Sequence, residues 1–172
     1  MIEPGCILCD EPLSALDAVL REEMRAELRE IVMNLGITTI FVIHDQVEAM
    51  SISDEIAVIN MGRIEQQGSP EEIYHRPATP FAAHFIGRSN WLGERQMFRP
   101  EAVLFEPEQD TEEYLVRLIS IRFIGNGYEF CFERGTERWY AFSPRRMPLG
   151  ELRVFVKREA IFRYDDKSSS PV

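Results

Sequence analysis

The residues that most constrain this chain lie between Cys6 and Asp17. An apolar run, Cys6-Ile7-Leu8-Cys9, ends on the adjacent carboxylates Asp10 and Glu11, and Pro12-Leu13-Ser14-Ala15-Leu16-Asp17 follows directly. Consecutive apolar residues without alternation predict a strand covered on both faces. Asp17 is a helix-capping residue type. The helix it opens, over residues 18–35, carries Leu20, Met24, Leu28, Ile31, Val32 and Leu35 on one face. Arg21, Glu22, Glu23, Arg25, Glu27, Arg29 and Glu30 lie on the other face. Gly36 suits the left-handed position that ends a helix. Residues 38–43 form a β-branched run that predicts a second buried strand, ending at His44. Strand, helix, strand is a right-handed parallel crossover, so this part of the chain is expected to be α/β.

Neighbouring parallel strands bring their C-terminal ends side by side, so Glu11 and His44 are expected to face one ligand. Adjacent carboxylates at such a strand end are how α/β nucleotide hydrolases hold magnesium and polarise water. An isolated Asp-Glu is more often a plain solvated strand end. Its coincidence with Asp17 and His44 favours the chemical reading. Cys6 and Cys9 form a C-x-x-C string, but inside a strand rather than at a helix N-terminus, where a thiolate is stabilised. A small apolar core role is expected for them. With Cys131 they match neither a zinc site nor a disulfide framework.

Farther along, residues 45–50 read as a short helix, and 55–60 and 63–67 as strands joined at Met61-Gly62. Ser69-Pro70-Glu71-Glu72 combines a cap, a first-turn proline and a capping-box glutamate. Thr79-Pro80 opens another short helix, and 87–93 reads as a linker. Helical periodicity then disappears. Short β-rich runs at 96–98, 114–124, 128–133, 137–142 and 152–156 suggest a small closed β-barrel. Phe98, Phe105, Phe123, Phe130, Phe132 and Phe142 are its expected core. Trp91 and Trp139 are assigned to packing, and His75 and His84 to helix-end or surface roles. Residues 167–172 read as a frayed polar tail.

The formal charge of −10 is uneven: residues 1–92 hold 6 basic and 15 acidic side chains, residues 93–172 hold 13 and 14. Neither part has the basic surplus of a nucleic-acid binder. No stretch approaches the roughly 18–20 apolar residues of a membrane span, and no signal peptide is recognisable. A soluble, cytosolic chain is the expectation.

Taken together, the motifs resemble the ATP-binding subunit of an ABC transporter. Ile7-Leu8-Cys9-Asp10-Glu11-Pro12 is similar to the Walker B strand, Ser14-Ala15-Leu16-Asp17 to the D-loop, and Thr39-Ile40-Phe41-Val42-Ile43-His44-Asp45-Gln46 to the strand and histidine of the H-loop. Asp54–Ile59, Gly62-Arg63-Ile64, Gln67–Tyr74, Pro77 and Phe85-Ile86-Gly87 continue the pattern to the end of such a cassette. Arg99-Pro100-Glu101, Ile121–Gly125 and Leu149-Gly150 are similar to a TOBE domain, an OB-like barrel appended to importers of ferric-ion, polyamine and sulfate type. The resemblance implies a partial P-loop NTPase-type sheet over 1–92 and a TOBE-like barrel over 93–172. It implies that Asp10 holds magnesium through water, Glu11 is the general base, and Asp17 communicates across a dimer. His44 would contact the γ-phosphate and hold Glu11 and water in place. It also implies ATP and Mg2+ as cofactors, and a second cassette subunit in a homodimer. Transmembrane permease subunits would hold the pair at the inner face of a bacterial plasma membrane.

The family's phosphate-binding loop needs a lysine after its glycines, and the first lysine here is Lys157. The Q-loop and the Leu-Ser-Gly-Gly-Gln signature are also absent from the sequence. The expectation is a truncated energy-coupling subunit, inactive alone, whose partner is the N-terminal part of the cassette. Ile7, Leu8, Ile40, Val42 and the apolar face of the first helix should then be partly exposed. The alternative is a non-catalytic regulatory, dimerising or anion-sensing TOBE module.

Overall fold

The computed structural model describes residues 5–164, so the expected frayed tail at 167–172 lies outside the described residues. Two compact units divide the chain between His75 and Arg76. No described helix is long and apolar enough to cross a membrane.

The first unit is mixed α/β. Strand β1 (Cys6–Asp10) pairs in parallel with β2 (Thr38–Val42), and helix α1 (Ala18–Leu35) connects them. Asp17 caps α1, and Gly36 ends it in the left-handed region at φ 61°. Helix α2 (Gln46–Ile52) follows, and β3 (Ile56–Asn60) and β4 (Arg63–Gly68) form an antiparallel hairpin. Met61 and Gly62 both take positive φ at its turn, the geometry that a two-residue hairpin loop requires. Helix α3 (Pro70–His75) begins where Ser69 Oγ accepts from the Glu72 amide.

Burial in this unit departs from the hydrophobic pattern. The strands β1 and β2 have the pattern of buried strands but alternate between exposed and half-buried residues, the partial exposure expected where sheet neighbours are missing. Leu8, Ile40 and Val42 are 76%, 52% and 58% exposed. Cys6 is exposed and Cys9 half-buried, so neither fills a core. Two strands cannot cover both of their own faces. No residue of α1 is fully buried. Its half-buried stripe is Arg21, Met24, Arg25, Leu28, Arg29 and Val32, which mixes three arginines into the packed side.

The second unit is antiparallel and curled into a half-barrel. Helix α4 (Pro80–Phe85) is capped by Thr79 and precedes β5 (Asn90–Leu92), a strand inside the segment expected to be a linker. A three-stranded sheet has β6 (Gln96–Phe98) between β5 and β12 (Phe162–Arg163). The larger sheet contains β7 (Val103–Leu104), β8 (Thr111–Phe123), β9 (Tyr128–Arg134), β10 (Glu137–Ser143) and β11 (Gly150–Lys157). Its order, β10-β9-β8-β11-β7, leaves β10 and β7 as edges, so it curls without the closure expected from the strand spacing.

The core of this unit is Phe98, Val103, Val116, Leu118, Phe130, Phe132, Trp139, Ala141, Val154, Val156 and Ile161. Phe105 packs against it half-buried, whereas Phe123 and Phe142 are exposed and contribute little, contrary to expectation. Trp139 is sealed, meets Phe98 edge to face, and donates from Nε1 to the Trp91 carbonyl at 2.7 Å. Asn90 ties β5 to β10 with two bonds: Nδ2 donates to the Tyr140 carbonyl, and Oδ1 accepts from the Tyr140 amide.

Candidate functional site

The parallel register sets the site. Residues pair from Cys6 with Thr38 to Asp10 with Val42, so both strands finish level with each other. One residue beyond β1, the Glu11 amide donates to the Val42 carbonyl at 2.9 Å. Glu11 takes φ 44°, a left-handed conformation unfavourable for a side chain with a Cβ. The turn after it is held by Ser14, whose amide and hydroxyl both donate to the Glu11 carbonyl. Leu13 is buried beneath that turn at 5% exposure.

His44 lies just past β2, and its Nδ1 is 3.2 Å from Glu11 Oε1. The structure therefore brings together the two residues expected to share a ligand. Their side chains are open to solvent. When neutral, an imidazole that donates Nδ1–H to the carboxylate keeps its lone pair on Nε2; when protonated, it donates from both nitrogens. Asp10 ends β1 with an exposed side chain. Asp17 Oδ1 accepts from the Val19 and Leu20 amides at 3.0 Å each, so this carboxylate caps α1.

Behind His44 stands a charged cluster. Asp45 caps α2, with Oδ1 accepting from the Val47 and Glu48 amides. Its Oδ2 lies 3.4 Å from Arg25 Nη2 and 3.8 Å from Arg21 Nη1. The Glu48 amide bond, with smaller contributions from Arg25, the Val47 amide and Arg21, holds the Asp45 carboxyl below its ordinary range against the opposing effect of burial. Arg21 also donates from Nη2 to the Leu16 carbonyl at 2.7 Å. Arg29 donates to the Ile52 carbonyl and to Asp54. The helical periodicity places these arginines on the face of α1 opposite its apolar residues. Their spacing of four residues, which forms one continuous stripe, was the available signal.

The donor set suits one end of a magnesium–nucleotide site. Asp10 and Glu11 are the residues that would face a hydrated cation and water there. Among the described residues, no three His, Cys, Asp or Glu side chains converge as a direct metal-binding group. The phosphate end does not fit this chain: it has no lysine before Lys157, and Arg21, Arg25 and Arg29 are engaged by acidic and carbonyl partners.

A sulfate/thiosulfate import ATP-binding protein, CysA 2 of Chromobacterium violaceum, is 54% identical over 101 residues, covering 58% of this chain and 28% of its own length. The homologues of this chain are ABC importer ATP-binding proteins. The spermidine/putrescine import ATP-binding protein PotA of Bacillus thuringiensis is 46% identical over 129 residues, 72% of this chain and 39% of PotA. The uncharacterized ABC transporter ATP-binding protein YdcT of Escherichia coli is 59% identical over 88 residues, 51% of this chain and 26% of YdcT. This chain thus spans between 26% and 39% of the length of these ABC relatives. No protein-family model matches it.

Proposed function

We propose that the first unit carries the carboxylate–histidine half of an ABC importer's ATP-hydrolysing site. The observation that carries this reading is the 3.2 Å approach of His44 to Glu11 across the ends of paired parallel strands. Bound Mg–ATP would supply the phosphoryl group. Glu11 orients water and accepts its proton, and His44 fixes the carboxylate and presents Nε2 outward. Asp10 would hold magnesium through water, and Asp17 sets the loop that faces a second cassette. The curled second unit serves as the OB-like TOBE domain. The subunit acts with permease subunits at the cytoplasmic face of the membrane. The phosphate-binding loop comes from residues other than these 172, so turnover depends on a longer protein or a partner chain. Two of the relatives named above carry chemically different solutes in their names, sulfate/thiosulfate in one and spermidine/putrescine in the other, which favours solute uptake without selecting the solute.

The decisive measurement is phosphate release by the complete ABC assembly containing this sequence. Glu11→Gln and His44→Ala are expected to lower turnover at least about 100-fold, the scale of a lost general base, while nucleotide binding persists. Undiminished turnover in Glu11→Gln would overturn the assignment. The 172-residue chain alone is expected to release no phosphate above background. Glu11-dependent turnover there would show that its own residues hold the phosphates.

A second reading, a ligand-sensing module, draws support from an open groove of about 320 Å³ in the second unit, lined by Ile121, Phe123, Tyr128 and Arg146. One cation among aromatic walls suits a small anion. Calorimetric titration with sulfate and phosphate tests it, and absence of heat that depends on Arg146 rejects it.

A further inference from the structure

The pairing of His44 with Glu11 depends on where β2 releases the chain, and that point is held from α1. We propose that Arg21 and Arg25 act as positioning residues, a latch that joins the Leu16–Asp17 turn to Asp45 and so sets His44 against Glu11. The proposal rests on the reading that Glu11 and His44 work as a pair.

Four observations carry it. Arg21 bridges two loops at once: Nη2 donates to the Leu16 carbonyl at 2.7 Å, while Nη1 lies 3.8 Å from Asp45 Oδ2. One turn along, Arg25 Nη2 reaches the same Asp45 oxygen at 3.4 Å, and its Nη1 is braced by Glu22 at 2.6 Å. Asp45 adjoins His44 and caps α2 through its other oxygen, so both carboxylate oxygens are used and its backbone has little freedom. Finally, the Nε atoms of both arginines are buried without a hydrogen-bond partner. Apolar side chains in this stripe would avoid that desolvation cost, so stability alone does not account for guanidinium groups here. A rigid link from the loop before α1 to the residue after His44 does account for them. It also couples the two loops: movement of the Leu16–Asp17 turn pulls on Arg21, and through Asp45 on the imidazole.

The test uses the full 172-residue chain, isotopically labelled. Its three histidines make the His44 ring signals assignable with one His44→Gln variant. Wild type is expected to show nuclear Overhauser contacts between the His44 ring and the Glu11 side chain. Arg25→Gln and Asp45→Asn are expected to lose them, and Arg25→Lys to keep them in weakened form. Arg29→Gln, which disturbs only the Ile52 and Asp54 contacts, is expected to leave them intact. Asparagine caps a helix as well as aspartate does, so Asp45→Asn decides the matter if Arg25→Gln fails to fold. Unchanged contacts in both Arg25→Gln and Asp45→Asn would overturn the latch while leaving the pair standing. Absence of the contacts in wild type would remove the pair itself.

Discussion

Glu11 Oε1 and His44 Nδ1 meet at 3.2 Å because the amide of Glu11 is bonded to the carbonyl of Val42, two residues before His44. That bond holds Glu11 in the left-handed region at φ 44°. A residue with a Cβ is strained there, and such strain at a strand end accompanies functional placement of side chains. Glu11→Gly should therefore raise the stability of the first unit by up to about 1 kcal/mol while removing the carboxylate. Hydrogen exchange of the β1 and β2 amides reads this out. Faster exchange in the glycine variant would mean that the side chain stabilises more than the backbone conformation costs.

Asp45 predicts a pH dependence. Its folded-state pKa is lowered, so its ionised form stabilises the folded chain. That stabilisation is fully present above the unfolded value near 3.8 and is lost as pH falls through the lower folded value. Protection factors of the Val47 and Glu48 amides should fall in that acid window in wild type. Asp45→Asn should show a flatter profile, since its cap does not titrate. Parallel profiles would assign the acid sensitivity to other groups.

Arg99 predicts a stability effect in the second unit. It is 5% exposed, and the two hydrogens of its Nη1 are shared among four acceptors 2.8–3.2 Å away, the carbonyls of Ala83, Gly87 and Arg88 and Ser89 Oγ. Arg99→Ala removes the cation that ties these acceptors together, although Ser89 Oγ still donates to the Ala83 carbonyl, and should cost about 1.5–3 kcal/mol. Arg99→Lys should recover only part, because the shorter lysine stem sets its ammonium short of the Nη1 position. Urea unfolding followed by tryptophan fluorescence suits this test, since Trp91 and Trp139 both lie in this unit.

The two units should also answer differently to truncation of apolar side chains. Trp139→Ala empties a sealed site and removes the bond to Trp91, so a loss of about 3–5 kcal/mol is expected. Leu8→Ala, at a residue 76% exposed, should fall within about 0.5 kcal/mol. Matching penalties would mean that Leu8 is covered in solution by something that contacts its exposed face.

The local signals in this sequence determined most elements. Asp17, Gly36, Ser69 and Thr79 mark helix ends because their side chains or backbone freedom satisfy groups that a helix leaves open. The β-branched runs mark strands for equally local reasons. Even the meeting of Glu11 and His44 was legible, since a parallel crossover brings the strand ends side by side. Burial was not legible from periodicity alone, because it depends on neighbours that periodicity cannot count. Ile7-Leu8-Cys9 and Ile40-Phe41-Val42 have the pattern of strands buried on two faces, and the exposure of Leu8, Ile40 and Val42 agrees with the expectation drawn from the missing sheet neighbours, since a two-stranded sheet leaves them open. Arg21, Arg25 and Arg29 read as part of the face opposite the apolar one, yet helix packing turns that stripe toward α2 and Asp45. Closure of the large sheet was likewise a tertiary matter: strand spacing permits a barrel, but only the pairing of β10 and β7 would close one, and they remain edges.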